Sequence, residues 1–225
     1  NSMQSKPGLY PDDCMGTLLK AYTRPVKNYI ALNKAVQKVQ KEKDLYKVEY
    51  ADTTNNEVFD LYAKKLVITV SIGVLQRWIK EKKISLPPEK VRAINNIKMG
   101  YLNKNILVMA ERFFTDNNIS PFTHINIRSN RLNRDASFLA VKMNKKHYLV
   151  NFVGGKWSLQ YEKRGTAFAR NDSLRILASA FGPDVYDFCT DSYLTQWTQN
   201  KYFYGAYSNA LKNNFDSRLE LSKPL

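Results

Sequence analysis

Leu66-Val67-Ile68-Thr69-Val70-Ser71-Ile72-Gly73-Val74-Leu75 is the stretch on which the reading of this chain turns. Both faces of Leu66 to Val70 are apolar, the pattern of a strand covered on both sides in a layered sheet. Ser71-Ile72-Gly73 then turns at once into a helical run, Val74 to Lys80. Proteins built from strands and helices place ligands at such turns, at the carboxyl ends of strands. The run is interrupted by Thr69, Ser71 and Gly73 and is far short of the ~20 apolar residues a bilayer requires. No membrane helix is expected, and the compartment is left open.

Upstream, Met15, Leu18, Leu19 and Tyr22 put an apolar stripe on a helix over Asp12 to Tyr22, ended before Pro25. Three strand-like runs follow, Val36 to Lys41, Leu45 to Ala51 and Val58 to Ala63, an antiparallel ribbon with a polar loop from Asp52 to Asn56. Downstream, Pro87-Pro88-Glu89 opens a helix with Val91, Ile94 and Ile97 on its buried face. Leu102 to Glu111 reads as a strand, and Thr115 to Asp135 as a long polar excursion with a short strand at His124 to Ile127. Ser137 to Met143 and Tyr148 to Val153 are two further strands. Asn171 or Asp172 caps a helix carrying Leu174, Leu177, Ala178 and Phe181, which Gly182-Pro183 stops. The fold class this predicts is α+β, a mixed sheet with flanking helices.

The 225 residues are 44% hydrophobic and 24% charged, which is globular composition and does not call for disorder. Against 20 Asp and Glu stand 35 Lys and Arg, a formal charge of +15, so an anionic partner must be weighed. The basic residues are spread over Lys38 to Lys47, Lys80 to Lys98 and Arg128 to Lys146, which places a solvated basic surface ahead of a nucleic-acid stripe. Cys14 and Cys189 stand outside any CxxC spacing and read as buried thiols. His124 and His147 have no partner at ligand spacing, so no metal site is expected. There is no GxSxG elbow, and the nine glycines never form GxG or a P-loop.

Two features carry chemistry. On an extended strand Lys104 shares a side with Ile106, Val108 and Ala110. An amine held against an apolar face can position water or take part in proton transfer; the alternative is a strand-end lysine reaching solvent. Trp197-Thr198-Gln199-Asn200-Lys201-Tyr202-Phe203-Tyr204-Gly205-Ala206-Tyr207-Ser208 is rich in aromatics around a small Gly205-Ala206 pair. It reads as rings beside a flat ligand or a cation, as an aromatic core corner, or as a platform for stacked bases.

The order of motifs then becomes recognisable. Leu32-Asn33-Lys34-Ala35-Val36-Gln37-Lys38-Val39, Leu66 to Leu75, Gly100-Tyr101-Leu102-Asn103-Lys104, and Trp197 to Ser208 together resemble the flavin-containing amine oxidase family, over about Asp12 to Leu225. That family includes polyamine oxidases, monoamine oxidases, L-amino-acid oxidases and lysine-specific histone demethylases. The resemblance implies an FAD-dependent oxidoreductase. Such an enzyme oxidises an amine to an imine by hydride transfer to flavin and releases hydrogen peroxide.

It also implies residue roles. Val36 matches a backbone contact to the adenine end of FAD. Val70 and Ser71 match a flavin-side turn that usually has proline where Ser71 stands. Lys104 matches the lysine that holds a water beside the flavin. Trp197 and Tyr202 match rings lining the flavin, and Tyr207 matches one wall of the cage for the amine. Ala206 stands where monoamine oxidases join a cysteine to the flavin, so the resemblance implies non-covalent FAD. The family's glycine-rich pyrophosphate turn and its later flavin-binding segment have no match here. The expectation is an excised piece, inactive by itself and holding FAD poorly, whose partners are a small-molecule amine and the missing flavin-binding parts of the same chain. Residues 1–76 are then a partial flavin-domain segment, 77–196 the substrate-binding domain, and 197–225 a return segment towards the flavin domain.

Overall fold

The computed structural model describes residues 15–129 and 134–224. Its elements in order are α1 (Met15–Thr23), a 3-10 helix (Arg24–Tyr29), β1 (Lys34–Glu42), β2 (Leu45–Asp52), β3 (Val58–Ala63), α2 (Ile72–Lys80), α3 (Pro88–Asn95), β4 (Ile97–Gly100), β5 (Leu102–Met109), α4 (Glu111–Asp116), β6 (His124–Ser129), β7 (Arg134–Met143), β8 (Lys146–Gly154), α5 (Gly155–Phe181), α6 (Val185–Phe188), β9 (Cys189–Leu194), β10 (Tyr207–Ala210) and α7 (Asp216–Ser222). Helices and sheets are mixed, at 37% and 34% of the described residues, as the α+β reading requires. Cys14 lies outside the described residues, and Cys189 is buried.

The strands form three sheets: β1-β2-β3, the pair β10-β4, and the five-stranded β6-β7-β8-β5-β9. In the last of these one face carries Leu107, Met109, Phe138, Ala140 and Leu149 against Leu174, Ile176 and Leu177 of α5, with Phe113 and Phe114 of α4 closing the end. Each such side chain contributes roughly 1.5–3 kcal/mol by leaving water. Further along the same face the apolar layer gives way to Asn103, Asn105 and Asn151, all buried. Asn105 and Asn151 both donate to Ser173 Oγ, at 2.8 and 2.9 Å. Asn105 Oδ1 has no hydrogen-bond partner among the described residues.

Several expectations are corrected. Leu66 to Val70 belongs to no ladder among the described residues, and Val67 is 85% exposed. An apolar run becomes a covered strand only where neighbouring strands supply hydrogen bonds, and none does so here. The helix expected to start at Asn171 or Asp172 starts at Gly155 and is broken at Gly165 (φ 84°), a left-handed conformation that favours glycine. Asp172 is consequently inside the helix and buried, where it accepts from Tyr161 at 2.7 Å and pairs with Arg175 at 2.9 Å. Ile97 belongs to β4 rather than α3. β5 ends at Met109, so Ala110 is the N-cap of α4 and does not extend the Lys104 face. The short strand expected at His124 to Ile127 is present as β6, an edge strand of the large sheet. The apolar stripe of α1 is present, but none of its residues is buried.

The chain's last helix is held by an unusual group. Lys90 of α3 is buried, and its ammonium donates to the carbonyls of Glu220 and Lys223 (2.6 Å to the latter) at the carboxyl end of α7. Arg218 of α7 in turn donates to the Ser208 carbonyl at 2.9 Å, beside Tyr207.

Candidate functional site

The loop from Trp197 to Ala206 folds on itself. The Asn200 carbonyl accepts from the amides of Phe203 and Tyr204 at 3.0 and 2.9 Å, and Gly205 N–H returns to the Trp197 carbonyl at 3.0 Å. The Trp197 and Phe203 rings meet edge to face at 5.0 Å. Gly205 adopts φ 141°, and a Cβ there would lie 2.6 Å from Met99 Cβ, so the loop presses on β4 at a point where only glycine fits. Ala206 N–H donates to the Gly100 carbonyl at 3.0 Å, and Tyr207 opens β10 opposite Gly100. The Tyr207 ring lies over Gly100, where a Cβ would be 2.5 Å from two ring carbons.

Ser71 joins this knot from the other side. It caps α2 by accepting from Val74 N–H at 3.1 Å and donates its hydroxyl to the Phe203 carbonyl. Gly73 comes so close to the carbonyl oxygens of Phe203 and Tyr204 that a Cβ would be 2.7 Å from each. The turn after Val70 and the aromatic loop are therefore in direct contact, though 132 residues apart in sequence.

Lys104 sits on β5 just beyond the strand that seats Tyr207. Its backbone N–H donates to Thr195 Oγ1 at 2.8 Å, and its carbonyl accepts from Thr195 N–H at 3.0 Å. The side chain is exposed, with Nζ 5.5 Å from the Phe152 ring centroid. From Lys104 the outward face runs along Ile106 and Val108, flanked by Val150 and Tyr148 of β8 and by Tyr193 and Asp191 of β9. Tyr193 donates to Asp191 at 2.8 Å, and this bond, with Ser192 N–H, holds the Asp191 carboxyl below the usual carboxylate range. Two hollows flank Glu111 and His147 at the far end of this sheet, and neither is lined by Lys104 or Tyr207.

The structure thus brings together Ser71, Trp197, Ala206 and Tyr207, with Lys104 on the adjoining strand. Tyr202 is in the same loop but 54% exposed, with Lys201 Nζ 5.2 Å from its ring centroid. Val70 is half-buried beside Ser71. Val36 is not gathered in. It lies at a register shift of the β1-β2-β3 sheet, which meets α2's following loop at Val39, where Val39 N–H donates to the Lys83 carbonyl at 2.8 Å.

The sequence profile of the family described as "Flavin containing amine oxidoreductase" matches residues 3–216. The chain belongs to that family. Among flavin-containing amine oxidoreductases and their kin, a lysine-specific histone demethylase 1 homolog of Oryza sativa subsp. japonica is 27% identical over 146 residues, 64% of this chain and 17% of the relative. An L-amino-acid oxidase of Siganus canaliculatus is 21% identical over 180 residues, 80% of this chain and 34% of the relative. Putrescine oxidase bound to putrescine superposes with a TM-score of 0.65 at 15% identity, over 93% of this chain and 44% of that one. Cyclohexylamine oxidase from Brevibacterium oxydans gives 0.64 at 17% identity, over 84% and 40%. These likenesses establish the amine oxidase fold, and the chain spans less than half the length of each.

Sequence reasoning missed Asn103 and Glu162, both buried at the base of the aromatic loop. The signal for Asn103 was available. Its alternation with Lys104 puts it on the inward face with Leu107, where a buried amide must find partners. Glu162 gives no such signal, because two of its three partners are backbone amides.

Proposed function

We propose that these residues form the amine-facing side of an FAD-dependent amine oxidase site, completed by flavin-binding parts outside them. The observation that supports this reading is the seat of Tyr207 on Gly100, four residues before Lys104 in the chain. Residues 1–76 then serve as a partial flavin-domain segment, 77–196 as the substrate-binding domain and 197–225 as the return segment.

The residues fit the ring end of FAD and not its pyrophosphate. The Ser71 turn is bonded to the loop that carries Ala206, the small residue that the resemblance sets beside the flavin, whereas the nine glycines supply no phosphate cradle. Val70, Ser71, Trp197, Tyr202 and Ala206 would hold the ring end of FAD and Val36, on the separate β1-β2-β3 sheet, its adenine end, without a covalent bond because Ala206 carries no nucleophile. When bound, FAD would supply the acceptor for a hydride from the carbon beside the amine nitrogen, with dioxygen as the final oxidant, reduced to hydrogen peroxide. Tyr207 confines and orients the neutral amine, which is worth rate because the reacting atoms start near their reactive arrangement. Lys104 donates to a water at the reacting end, and Ile106 and Val150 beside it keep other water away.

The test has two arms. FAD added to these 225 residues should give no stoichiometric yellow complex; one would overturn the shared-site reading. In the whole protein, Lys104→Met should slow flavin reduction or reoxidation at least tenfold, and unchanged kinetics would remove Lys104 from its role.

A further inference from the structure

Glu162 is 5% exposed, and no cation pairs with it among the described residues. A buried carboxylate is tolerated only where hydrogen-bond donors replace its water. Three do so: Asn103 Nδ2 at 2.7 Å, Thr198 N–H at 3.0 Å and Gln199 N–H at 3.1 Å. One donor comes from β5 and two from the aromatic loop, so the carboxylate ties the first turn of that loop to the strand.

Asn103 completes the bridge. Fully buried, it also donates to Ser158 Oγ at 2.8 Å, while its Oδ1 accepts from Thr195 Oγ1 at 3.2 Å and Trp197 N–H at 3.3 Å. Both ends of the amide are thereby used, and the next residue in the chain is Lys104. A continuous path of bonds leads from Lys104 through Asn103 and Glu162 to Thr198 and the loop that ends in Ala206 and Tyr207. Apolar packing could hold such a loop down, but directed bonds also fix where it lies.

We infer that Glu162, acting through Asn103, is a positioning residue that sets the gap between the Lys104 strand and the loop carrying Trp197, Ala206 and Tyr207. Its meaning for amine oxidation rests on the function proposed above; its mechanical role does not. All three of its partners are donors, two to Oε1 and one to Oε2, so both carboxyl oxygens act as acceptors. An amide in its place would turn an NH2 group towards an N–H.

The chain labelled with 5-fluorotryptophan tests this. In Glu162→Gln, amide exchange at Thr198 and Gln199 should rise at least roughly tenfold. The Trp197 fluorine resonance should shift while that of Trp78 stays, and the core amides Leu149 and Leu177 should exchange as before. Ser158→Ala, which touches Asn103 but not the loop, should leave Thr198 and Gln199 protected. Asn103→Asp, which sets two carboxylates face to face, should reproduce the loop effect and decides the matter if Glu162→Gln does not fold. Unchanged exchange at Thr198 and Gln199, an equal rise throughout the core, or failure of both variants to fold would overturn the positioning role. None of these readouts involves flavin or amine, so a failed FAD or Lys104 experiment leaves this result standing, and the reverse.

Discussion

Gly73 and Gly100 both stand against the aromatic loop, but what an added methyl group would meet differs. At Gly73 it meets backbone oxygen of Phe203 and Tyr204; at Gly100 it meets the tip of the Tyr207 ring, which can swing aside. Gly73→Ala should therefore lower stability by about 1–3 kcal/mol in urea unfolding, and Gly100→Ala by less than about 1 kcal/mol while unseating Tyr207. Asp52 supplies a pH prediction. Its hydrogen bond from Lys34, with further bonds from Thr54, holds its carboxyl well below the ordinary range. A depressed carboxyl contributes stability above its unfolded pKa and loses it as pH falls through the folded one. Acid titration of Asp52→Asn should accordingly show a shallower loss of stability below the ordinary carboxylate range than the parent chain. The shared face of Lys104, Ile106 and Val108 was legible in the sequence because alternation is a property of the strand itself. Glu162 was not, because backbone donors leave no trace in residue type.

Elements were legible where their own sequence satisfied them. β1, β2 and β3 follow their alternating runs, since each finds its partner one turn away. Leu66 to Val70 shows the opposite case: composition announces a strand, yet a ladder depends on a neighbour that the run cannot specify. In α5 the periodic Leu174, Leu177 and Phe181 were plain, while the preceding half was hidden by Gly165, which breaks the register between the two parts. The energetic weight of α5 falls on its second half. Leu177→Ala should cost about 2–5 kcal/mol by leaving a cavity, whereas Leu159→Ala, at a side chain 38% exposed, should cost under about 1 kcal/mol in the same urea titration.

For the molecule as a whole, the charge of +15 is distributed rather than aimed. Lys34, Lys47 and Lys83 are each paired with a carboxylate, Asp52, Asp60 and Glu81 respectively, which mutes much of the β1-β2-β3 side. A single-stranded oligonucleotide should bind weakly at low salt and be released at physiological ionic strength; tight binding that survives salt, read by fluorescence anisotropy, would revive the nucleic-acid reading. The fold class could be read from composition and period, but the way sites assemble from distant segments could not. Ser71 and Phe203 come together only in three dimensions. The Lys90 ammonium gives α7 an importance out of proportion to its length. Replacing Lys90 with methionine would leave the Glu220 and Lys223 carbonyls without their donor and free the end of α7, whose Arg218 steadies β10 at Ser208.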